Sequence, residues 1–174
     1  MKISVIGAGA MGGAMVHGML KGSTFANADI TVADPSAKAL EQFEATGAIV
    51  TTDNALAAKV SDIVAVVVKP WLVESVLKGI KQSLDYSRQL LIVVAAGVSS
   101  AQIKEWLDKG DGTMIPLFLV IPNTAIAVMN SMTFVVPVGA SEEQTTTVKA
   151  MFDEMGSTLI TEERLLAAGT TLAS

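Results

Sequence analysis

The sequence predicts a doubly wound α/β fold, in which helices cover both faces of a mostly parallel sheet. Apolar runs that suit strands alternate with helix-like segments nearly throughout the 174 residues, and this alternation is typical of α/β domains. Most of the runs are hydrophobic at every position, which is typical of strands buried on both sides. The predicted strands are Ile3–Ile6, Ile30–Ala33, Ala48–Thr51, Ile63–Val68, Leu90–Ala95, Ile115–Val120 and Thr133–Val136.

A glycine-rich turn follows the first predicted strand. Residues 7–12 form a G-x-G-x-x-G motif between that strand and a helix-compatible segment, which is the context that favours dinucleotide binding. Gly7 permits the tight turn, Gly9 leaves room for a pyrophosphate, and Gly12 lets the helix pack closely on the strand. The N–H groups at the helix start suit the phosphates. We therefore predict a Rossmann-type domain. A turn without a ligand and a signal peptide are the alternatives, and the glycines argue against the signal peptide.

Asp34 follows the second predicted strand, about 20 residues after Gly12, where a Rossmann fold places the carboxylate that binds a ribose 2′-OH. Ser36 and Lys38 are near enough in sequence to reach a 2′-phosphate, but the Asp34 carboxylate would repel one. The sequence therefore favours NADH over NADPH. The alternative is that Asp34 only caps the helix that begins after Pro35-Ser36.

Two further strand ends carry candidate site residues. Asp53-Asn54 begins a short helix, and the fourth predicted strand then ends in Lys69-Pro70. Pro70 suits the first position of a helix, which places Lys69 at the carboxyl end of a strand, where ligands of open α/β sheets bind. The alternative for Lys69 is a solvated side chain at a turn.

The fifth and sixth predicted strands also end in features that suit a ligand. The small residues Ala95, Ala96 and Gly97 leave room for a flat ring, and Ser99 or Ser100 can cap the helix that follows. Pro122-Asn123 comes after the sixth strand, and the Asn123 amide can donate to and accept from an amide edge of a ligand. An Asx turn is the alternative for Asn123.

Composition narrows the function classes. The net charge is −5 at pH 7 and no basic cluster is present, which argues against nucleic-acid binding. The chain has no cysteine and one histidine, His17, so disulfides and thiolate sites are excluded and a zinc site is not expected. The longest apolar run, Leu90–Ala96, is too short to span a membrane. We expect no membrane partner and a cytoplasmic location.

Four motifs together resemble the N-terminal, cofactor-binding domain of the pyrroline-5-carboxylate reductase family. They are the glycine motif at residues 7–12, Val68-Lys69-Pro70, Ala95-Ala96-Gly97-Val98-Ser99 and Pro122-Asn123-Thr124, in that order. The resemblance implies NAD(P)H-dependent reduction of 1-pyrroline-5-carboxylate to proline, with a small-molecule substrate. Alternatives are a non-catalytic dinucleotide-binding module and a related imine or β-hydroxyacid dehydrogenase.

The resemblance also implies roles for particular residues. Residues 7–12 would hold the pyrophosphate, Asn54 would lie near the adenosine half, and Pro122 and Asn123 would shape the substrate side. With Asp34 and Ser36, the predicted cofactor-binding set is Gly7, Ala8, Gly9, Ala10, Met11, Gly12, Asp34, Ser36, Asn54, Val68, Lys69, Pro70, Ala95, Ala96 and Gly97. No catalytic acid stands out, so we name no catalytic residue.

The chain departs from the family pattern on the substrate side and in length. Leu119-Val120-Ile121 stands where the family usually has Arg-Ala-Met, Ala125 where it usually has proline, and Ser131 where it has glycine. These differences bear on the exact substrate. The family continues into a helical domain that forms the dimer. We therefore assign residues 1–161 to the Rossmann domain and residues 162–174 to the start of a truncated helical domain. We expect a homodimer or a larger homo-oligomer only when that domain is present.

Overall fold

An eight-stranded sheet with helices on both faces forms the protein, as shown by a computed structural model that describes residues 1–166. The strands are β1 Ile3–Ile6, β2 Ile30–Ala33, β3 Ile49–Thr51, β4 Ile63–Val66, β5 Leu90–Val93, β6 Leu117–Ile121, β7 Ser131–Val138 and β8 Gly156–Ile160. The α-helices are α1 Ala10–Lys21, α2 Ala37–Leu40, α3 Asn54–Val60, α4 Val73–Ile80, α5 Ser100–Leu107 and α6 Glu142–Asp153. Short 3₁₀ helices lie at Asn27–Asp29, Glu41–Phe43, Pro70–Leu72, Lys81–Ser83, Thr124–Val128 and Glu163–Leu165.

The strand order is β3-β2-β1-β4-β5-β6-β7-β8. Strands β1 to β6 are parallel, so their carboxyl ends lie at one edge of the sheet. This order reverses between β1 and β4, and ligands bind beside such a reversal in doubly wound folds. The predicted Rossmann-type architecture is confirmed.

Two apolar clusters, one on each face, hold the layers together. One face packs Val5 and Phe118 against Met15 of α1 and Phe152 of α6. The other packs Val64, Val66 and Leu91 against the apolar residues of α3, α4 and α5. Because consecutive strand residues point to opposite faces, strands that are apolar at every position bury both sides, as predicted.

The predicted ends of two central strands were wrong. Strands β4 and β5 were expected to reach Val68 and Ala95 but end at Val66 and Val93. The chain turns away after β1 at Gly7, which has a φ of +109°. Val66, which pairs with the last residue of β1, is therefore the last residue of β4. The apolar residues that follow β4 and β5 line loops instead.

The last three strands also differ from the prediction. β6 begins at Leu117, immediately after Pro116. Proline has no backbone N–H that could donate a hydrogen bond to a neighbouring strand, so the strand starts after it. β7 is longer than expected and runs antiparallel to β6, since the connection over residues 122–130 is too short for a parallel crossover. β8 was not predicted, because its residues alternate between half-buried and exposed and form no continuous apolar run.

Two negative findings apply to the described residues. Within residues 1–166, no helix combines the length and the hydropathy needed to cross a bilayer. The same part of the chain contains no group of three His, Asp or Glu side chains placed to hold a metal ion.

The Glu154 carboxylate ties the end of α6 to the loop after α1. It accepts hydrogen bonds from the Ser23 hydroxyl at 2.5 Å and from the Thr24 backbone N–H at 3.0 Å. Hydrogen bonds from Ser23, and then from Thr24, lower the pKa of Glu154 from 4.5 to about 2. A carboxylate whose pKa is lowered on folding stabilises the fold above its unfolded pKa, and that stabilisation is lost as the pH falls towards its folded pKa.

We expect Glu154→Gln to lower the free energy of unfolding by about 1 kcal/mol at pH 7, since the carboxylate is largely solvated. The difference from the wild type should shrink as the pH falls from 4.5 towards 2. Urea unfolding at pH 7, 4.5 and 3 measures it. Glu105→Gln, at an exposed position of α5, is the control and should show no such pH dependence. A constant difference across this range would contradict the assignment.

Candidate functional site

Two joined cavities at the carboxyl ends of the parallel strands form the candidate site, which we call the strand-end cleft. Their volumes are about 480 Å³ and 310 Å³, and they share Met11, Val68 and Lys69 among their lining residues. The cleft runs from the glycine-rich turn and Asp34 at one end to Pro122 and Asn123 at the other. The structure thus brings together residues from five separate strand ends.

The glycine motif leaves an open place at the start of α1. A Cβ built on Gly9 would meet no atom within 4 Å, whereas one built on Gly12 would lie 1.8 Å from the Gly7 carbonyl oxygen. Gly9 is the N-cap of α1, and it provides no side-chain cap; the first turn of the helix contains no acidic residue. The backbone N–H groups and the positive end of the helix dipole are therefore available to an anion at Gly9.

The Asp34 carboxylate is fixed beside this turn. Its Oδ2 accepts from the Ala8 backbone N–H at 2.8 Å and its Oδ1 accepts from the Ser36 N–H at 2.8 Å. The alternative interpretation of Asp34 as the cap of α2 is not what the structure shows, since Ser36 is the N-cap and accepts from the Ala39 N–H. Asp34 instead lines the strand-end cleft. Ser36 is held next to it but does not line the cleft.

Lys69 provides a positive charge in the middle of the cleft. It precedes the 3₁₀ helix Pro70–Leu72, in which Pro70 holds the first position as predicted. Within the described residues, its ammonium group makes no ion pair and no hydrogen bond, and the side chain is exposed. An unpaired cation at this point can attract a phosphate or a carboxylate of a ligand.

Small residues form the wall of the cleft after β5. Ala95 and Ala96 line it, and Gly97 follows with a φ of +78°. Ser99 caps α5 in a capping box with Gln102, so the next helix begins where the sequence predicted. A flat ring fits against such a wall because no long side chain projects into it.

Asn123 lies at the other end of the cleft with an unsatisfied acceptor. Its Oδ1 is buried without a hydrogen-bond partner, although buried amide oxygens are usually bonded. It precedes the 3₁₀ helix Thr124–Val128, but its side chain makes no capping bond. The structure therefore does not support the alternative of an Asx turn, and the amide stays available for a polar group.

Sequence reasoning missed a support beneath Asn123. The Ser131 hydroxyl accepts from the Asn123 backbone N–H at 3.3 Å and lies 3.0 Å from the Thr133 hydroxyl. Both side chains are buried. The one available signal in the sequence is the polar Ser131 just before a predicted apolar strand, at a position where the family has glycine.

Asn54 is not brought into the strand-end cleft. It is the first residue of α3 and lines a separate depression with Ser75 and Gly79. Its Oδ1 is also buried without a partner. Its predicted place near the adenosine half of a cofactor stays a prediction.

The arrangement fits a dinucleotide. The open place at Gly9 suits a pyrophosphate, the Asp34 carboxylate suits a ribose hydroxyl, and the small-residue wall suits a nicotinamide ring. Comparison with known proteins supports this fit. A family model described as NADP oxidoreductase, coenzyme F420-dependent, matches residues 2–97. The chain belongs to this family.

Matched residues of the NADP oxidoreductase family include β1 to β5, the glycine motif, Lys69 and the wall at Ala95. Pro122 and Asn123 lie beyond the match. The family assignment therefore covers the cofactor side of the strand-end cleft but not its other end.

Curated relatives extend over nearly the whole chain. Pyrroline-5-carboxylate reductase of Methanosarcina acetivorans is 32% identical over 174 residues, which cover 99% of this chain and 63% of the relative. The enzyme of that name from Arabidopsis thaliana is 29% identical over 174 residues, covering 99% of this chain and 61% of the relative. The chain thus spans less than two thirds of the length of these relatives.

Solved structures show the same fold. A pyrroline-5-carboxylate reductase from Coxiella burnetii has a TM-score of 0.89 and 25% identity, covering 99% of this chain and 63% of that one. A Plasmodium falciparum pyrroline carboxylate reductase, solved with NADP bound, has a TM-score of 0.88 and 22% identity, covering 99% and 62%. The eight-stranded Rossmann-type fold is therefore shared with enzymes of this name.

Proposed function

We propose that this chain is the cofactor-binding part of a pyrroline-5-carboxylate reductase, which reduces 1-pyrroline-5-carboxylate to proline with NAD(P)H. The observation that carries the proposal is the strand-end cleft, which joins an uncapped, glycine-lined helix start to an unpaired lysine and an unsatisfied asparagine. The relatives of that name that match nearly the whole chain support the choice of substrate.

Each end of the cleft has its own task in this proposal. The start of α1 holds the pyrophosphate, and Lys69 lies next to the nicotinamide ribose. When bound, the cofactor supplies the hydride that is transferred to the C=N carbon. The wall at Ala95 and Ala96 positions its ring, and Pro122 and Asn123 shape the place where the substrate ring meets it.

The described cleft contains no carboxylic acid at its Asn123 end to supply the proton that the imine needs. Among residues 1–166, the only carboxylate lining it is Asp34, which lies at the glycine end and accepts two hydrogen bonds. We therefore infer that the 174-residue chain binds the dinucleotide but has little or no activity alone. Pyrroline-dependent turnover by this chain at an ordinary enzymatic rate of about 10 s⁻¹ would refute that inference.

We also propose the domain assignment and setting that the sequence predicts. Residues 1–161 form the dinucleotide-binding domain, and residues 162–174 begin a helical domain that makes a homodimer; residues 167–174 lie outside the described part of the chain. The proposed reaction belongs to proline biosynthesis, and we propose separately that the protein is cytoplasmic. A longer chain that includes the whole helical domain should sediment as a dimer. Sedimentation of that longer chain as a monomer would contradict this part of the proposal.

A titration followed by a chimera tests the function. Calorimetric titration of the chain with NADH and NADPH should show binding of at least one. Residues 1–161, joined to the remaining part of the Methanosarcina acetivorans relative, should oxidise NAD(P)H when pyrroline-5-carboxylate is added. Absence of any binding would reject the dinucleotide site. A chimera that binds the cofactor but acts on 3-hydroxyisobutyrate and not on pyrroline-5-carboxylate would reject the substrate.

We propose that the chain prefers NADH to NADPH. Two backbone N–H groups fix the Asp34 carboxylate where a 2′-phosphate would approach, and the carboxylate would repel that phosphate. Asp34→Asn removes the charge but keeps an acceptor for the Ala8 N–H. We expect the ratio of NADPH to NADH affinity to rise about tenfold, equivalent to about 1.4 kcal/mol. Calorimetry with both cofactors measures it.

The control for this variant is Glu41→Gln, which removes an exposed charge from the 3₁₀ helix after α2. It should leave the ratio unchanged. Stronger binding of NADPH than of NADH by the wild type, with no change in Asp34→Asn, would show that Asp34 does not select the cofactor.

A further inference from the structure

The segment after β8 returns from the edge of the sheet to the strand-end cleft. β8 is the outermost strand, three places from β5 in the sheet. The 3₁₀ helix Glu163–Leu165 nevertheless contacts the start of α5, the helix that follows β5. Leu166 packs on the apolar cluster that lies under α3, α4 and α5. The chain therefore crosses one face of the sheet over residues 161–166.

Glu163 makes the polar contact that fixes this crossing. Its Oε1 accepts from the Ser100 backbone N–H at 2.7 Å, and its Oε2 accepts from the Ser100 hydroxyl at 2.6 Å. Ser100 is the first residue of α5, so the carboxylate lies at the positive end of the helix dipole. Two charge-assisted bonds to one residue, 63 positions away in sequence, make a specific attachment.

The attachment borders the part of the cleft assigned to the nicotinamide. A recess of about 240 Å³ lies between Glu163, Gly97 and Ile121, and Ala96 also lines it. Ala96 and Ile121 line the strand-end cleft as well, so the recess adjoins it. Glu163 thus forms the outer wall of the space beside the small-residue loop.

That loop has little to hold it in shape. It connects the end of β5 to Ser99, and both Ala96 and Gly97 are exposed. A Cβ built on Gly97 would meet nothing within 4 Å. Because small exposed side chains provide few packing contacts, the position of the loop depends on what fixes its ends. β5 fixes one end, and the start of α5, held by Glu163, fixes the other.

We propose that Glu163 is a positioning residue: through Ser100 it holds the Ala95–Gly97 loop in the shape that receives the nicotinamide half of the dinucleotide. This inference rests on the proposed function only in assigning that end of the cleft to the nicotinamide. Glu163 lines the adjoining recess and not the strand-end cleft itself, so it acts through Ser100.

The test compares two ligands that share the adenosine half. Glu163→Gln and the wild type are titrated with NADH and with ADP-ribose, which lacks the nicotinamide. We expect Glu163→Gln to weaken NADH binding five- to tenfold and to change ADP-ribose binding less than twofold. The matched control, Glu162→Gln, removes an exposed carboxylate that pairs with Arg164 and should change neither. An equal change for both ligands, or none, would overturn the proposal.

Hydrogen exchange provides a readout without a ligand. In Glu163→Gln the amides of residues 96–100 should exchange about tenfold faster than in the wild type, while those of β1 should not change. Ser100→Ala, which keeps the backbone donor but loses the hydroxyl, should give a smaller acceleration. Unchanged exchange at residues 96–100 would overturn the attachment.

The two proposals fail in different ways. A wild-type chain that binds neither NADH nor ADP-ribose rejects the dinucleotide site, and with it the role of Glu163 towards the nicotinamide. A wild-type chain that binds both ligands, with no selective loss in Glu163→Gln, rejects only the positioning role.

Discussion

Gly9→Ala should abolish measurable dinucleotide binding while leaving the protein folded. The added Cβ meets no protein atom within 4 Å, so it occupies the open place in front of the α1 N-terminus where a pyrophosphate would approach. We expect the affinity for NADH and NADPH to fall at least 100-fold, equivalent to about 2.7 kcal/mol. Calorimetric titration with each cofactor measures this loss.

A measurement of stability distinguishes this loss of binding from unfolding of the variant. Gly9 has a φ of −68°, which alanine adopts without strain. Alanine is a poorer N-cap than glycine, so we expect a loss in the free energy of unfolding of no more than about 1 kcal/mol. Gly13→Ala, whose Cβ would make only ordinary contacts and which does not line the strand-end cleft, is the control and should bind normally. Normal binding by Gly9→Ala would show that the phosphates do not lie at this turn.

Gly12→Ala, in contrast to Gly9→Ala, should destabilise the folded protein. Its Cβ would lie 1.8 Å from the Gly7 carbonyl oxygen and 2.9 Å from the Gly7 carbonyl carbon. These are backbone atoms of the turn, so the clash is relieved only by moving α1 away from β1. We expect a loss of about 3 kcal/mol or more in the free energy of unfolding, measured by urea unfolding.

The adjacent glycine provides a matched control. A Cβ on Gly13 would lie 3.7 Å from the Ala8 carbonyl oxygen, its nearest neighbour outside the helix, which is an ordinary van der Waals contact. Gly13→Ala should therefore stabilise α1 by about 0.5–1 kcal/mol, because alanine loses less backbone entropy in a helix. Similar stabilities for Gly12→Ala and Gly13→Ala would mean that the close approach of α1 to β1 does not exclude a side chain at position 12.

Much of the cofactor end of the site was predictable because its signals are local. The glycine motif and the helix cap at Ser99 each depend on residues a few positions apart, and Asp34 directly follows its own strand within the same βαβ unit. The structure places all three as expected. The partner of the Asp34 carboxylate was less evident. Its bond to the Ala8 N–H joins residues 26 positions apart, and a sequence pattern does not specify such a contact.

The end of the strand-end cleft at Asn123 was harder to predict, because its contacts depend on how separate strands pair. The Ser131 support for Asn123 depends on β7 running antiparallel to β6, which brings the start of β7 next to the end of β6. The apolar character of β7 does not distinguish a parallel from an antiparallel partner. The unsatisfied Asn123 Oδ1 is likewise a consequence of burial in three dimensions.

The fold class, the order of the central strands and helices along the chain, and the turn at Gly7 could all be inferred from the sequence. The spacing of apolar residues and the conformational freedom of glycine depend only on neighbouring residues, which explains why these features were predictable. Tertiary structure alone decided where β4 and β5 end, that β8 forms an edge strand, and that Glu163 meets Ser100. Those features require segments that are distant in the sequence to pair or to pack against each other. Such contacts follow from the packing of the whole sheet and not from any one stretch of the chain.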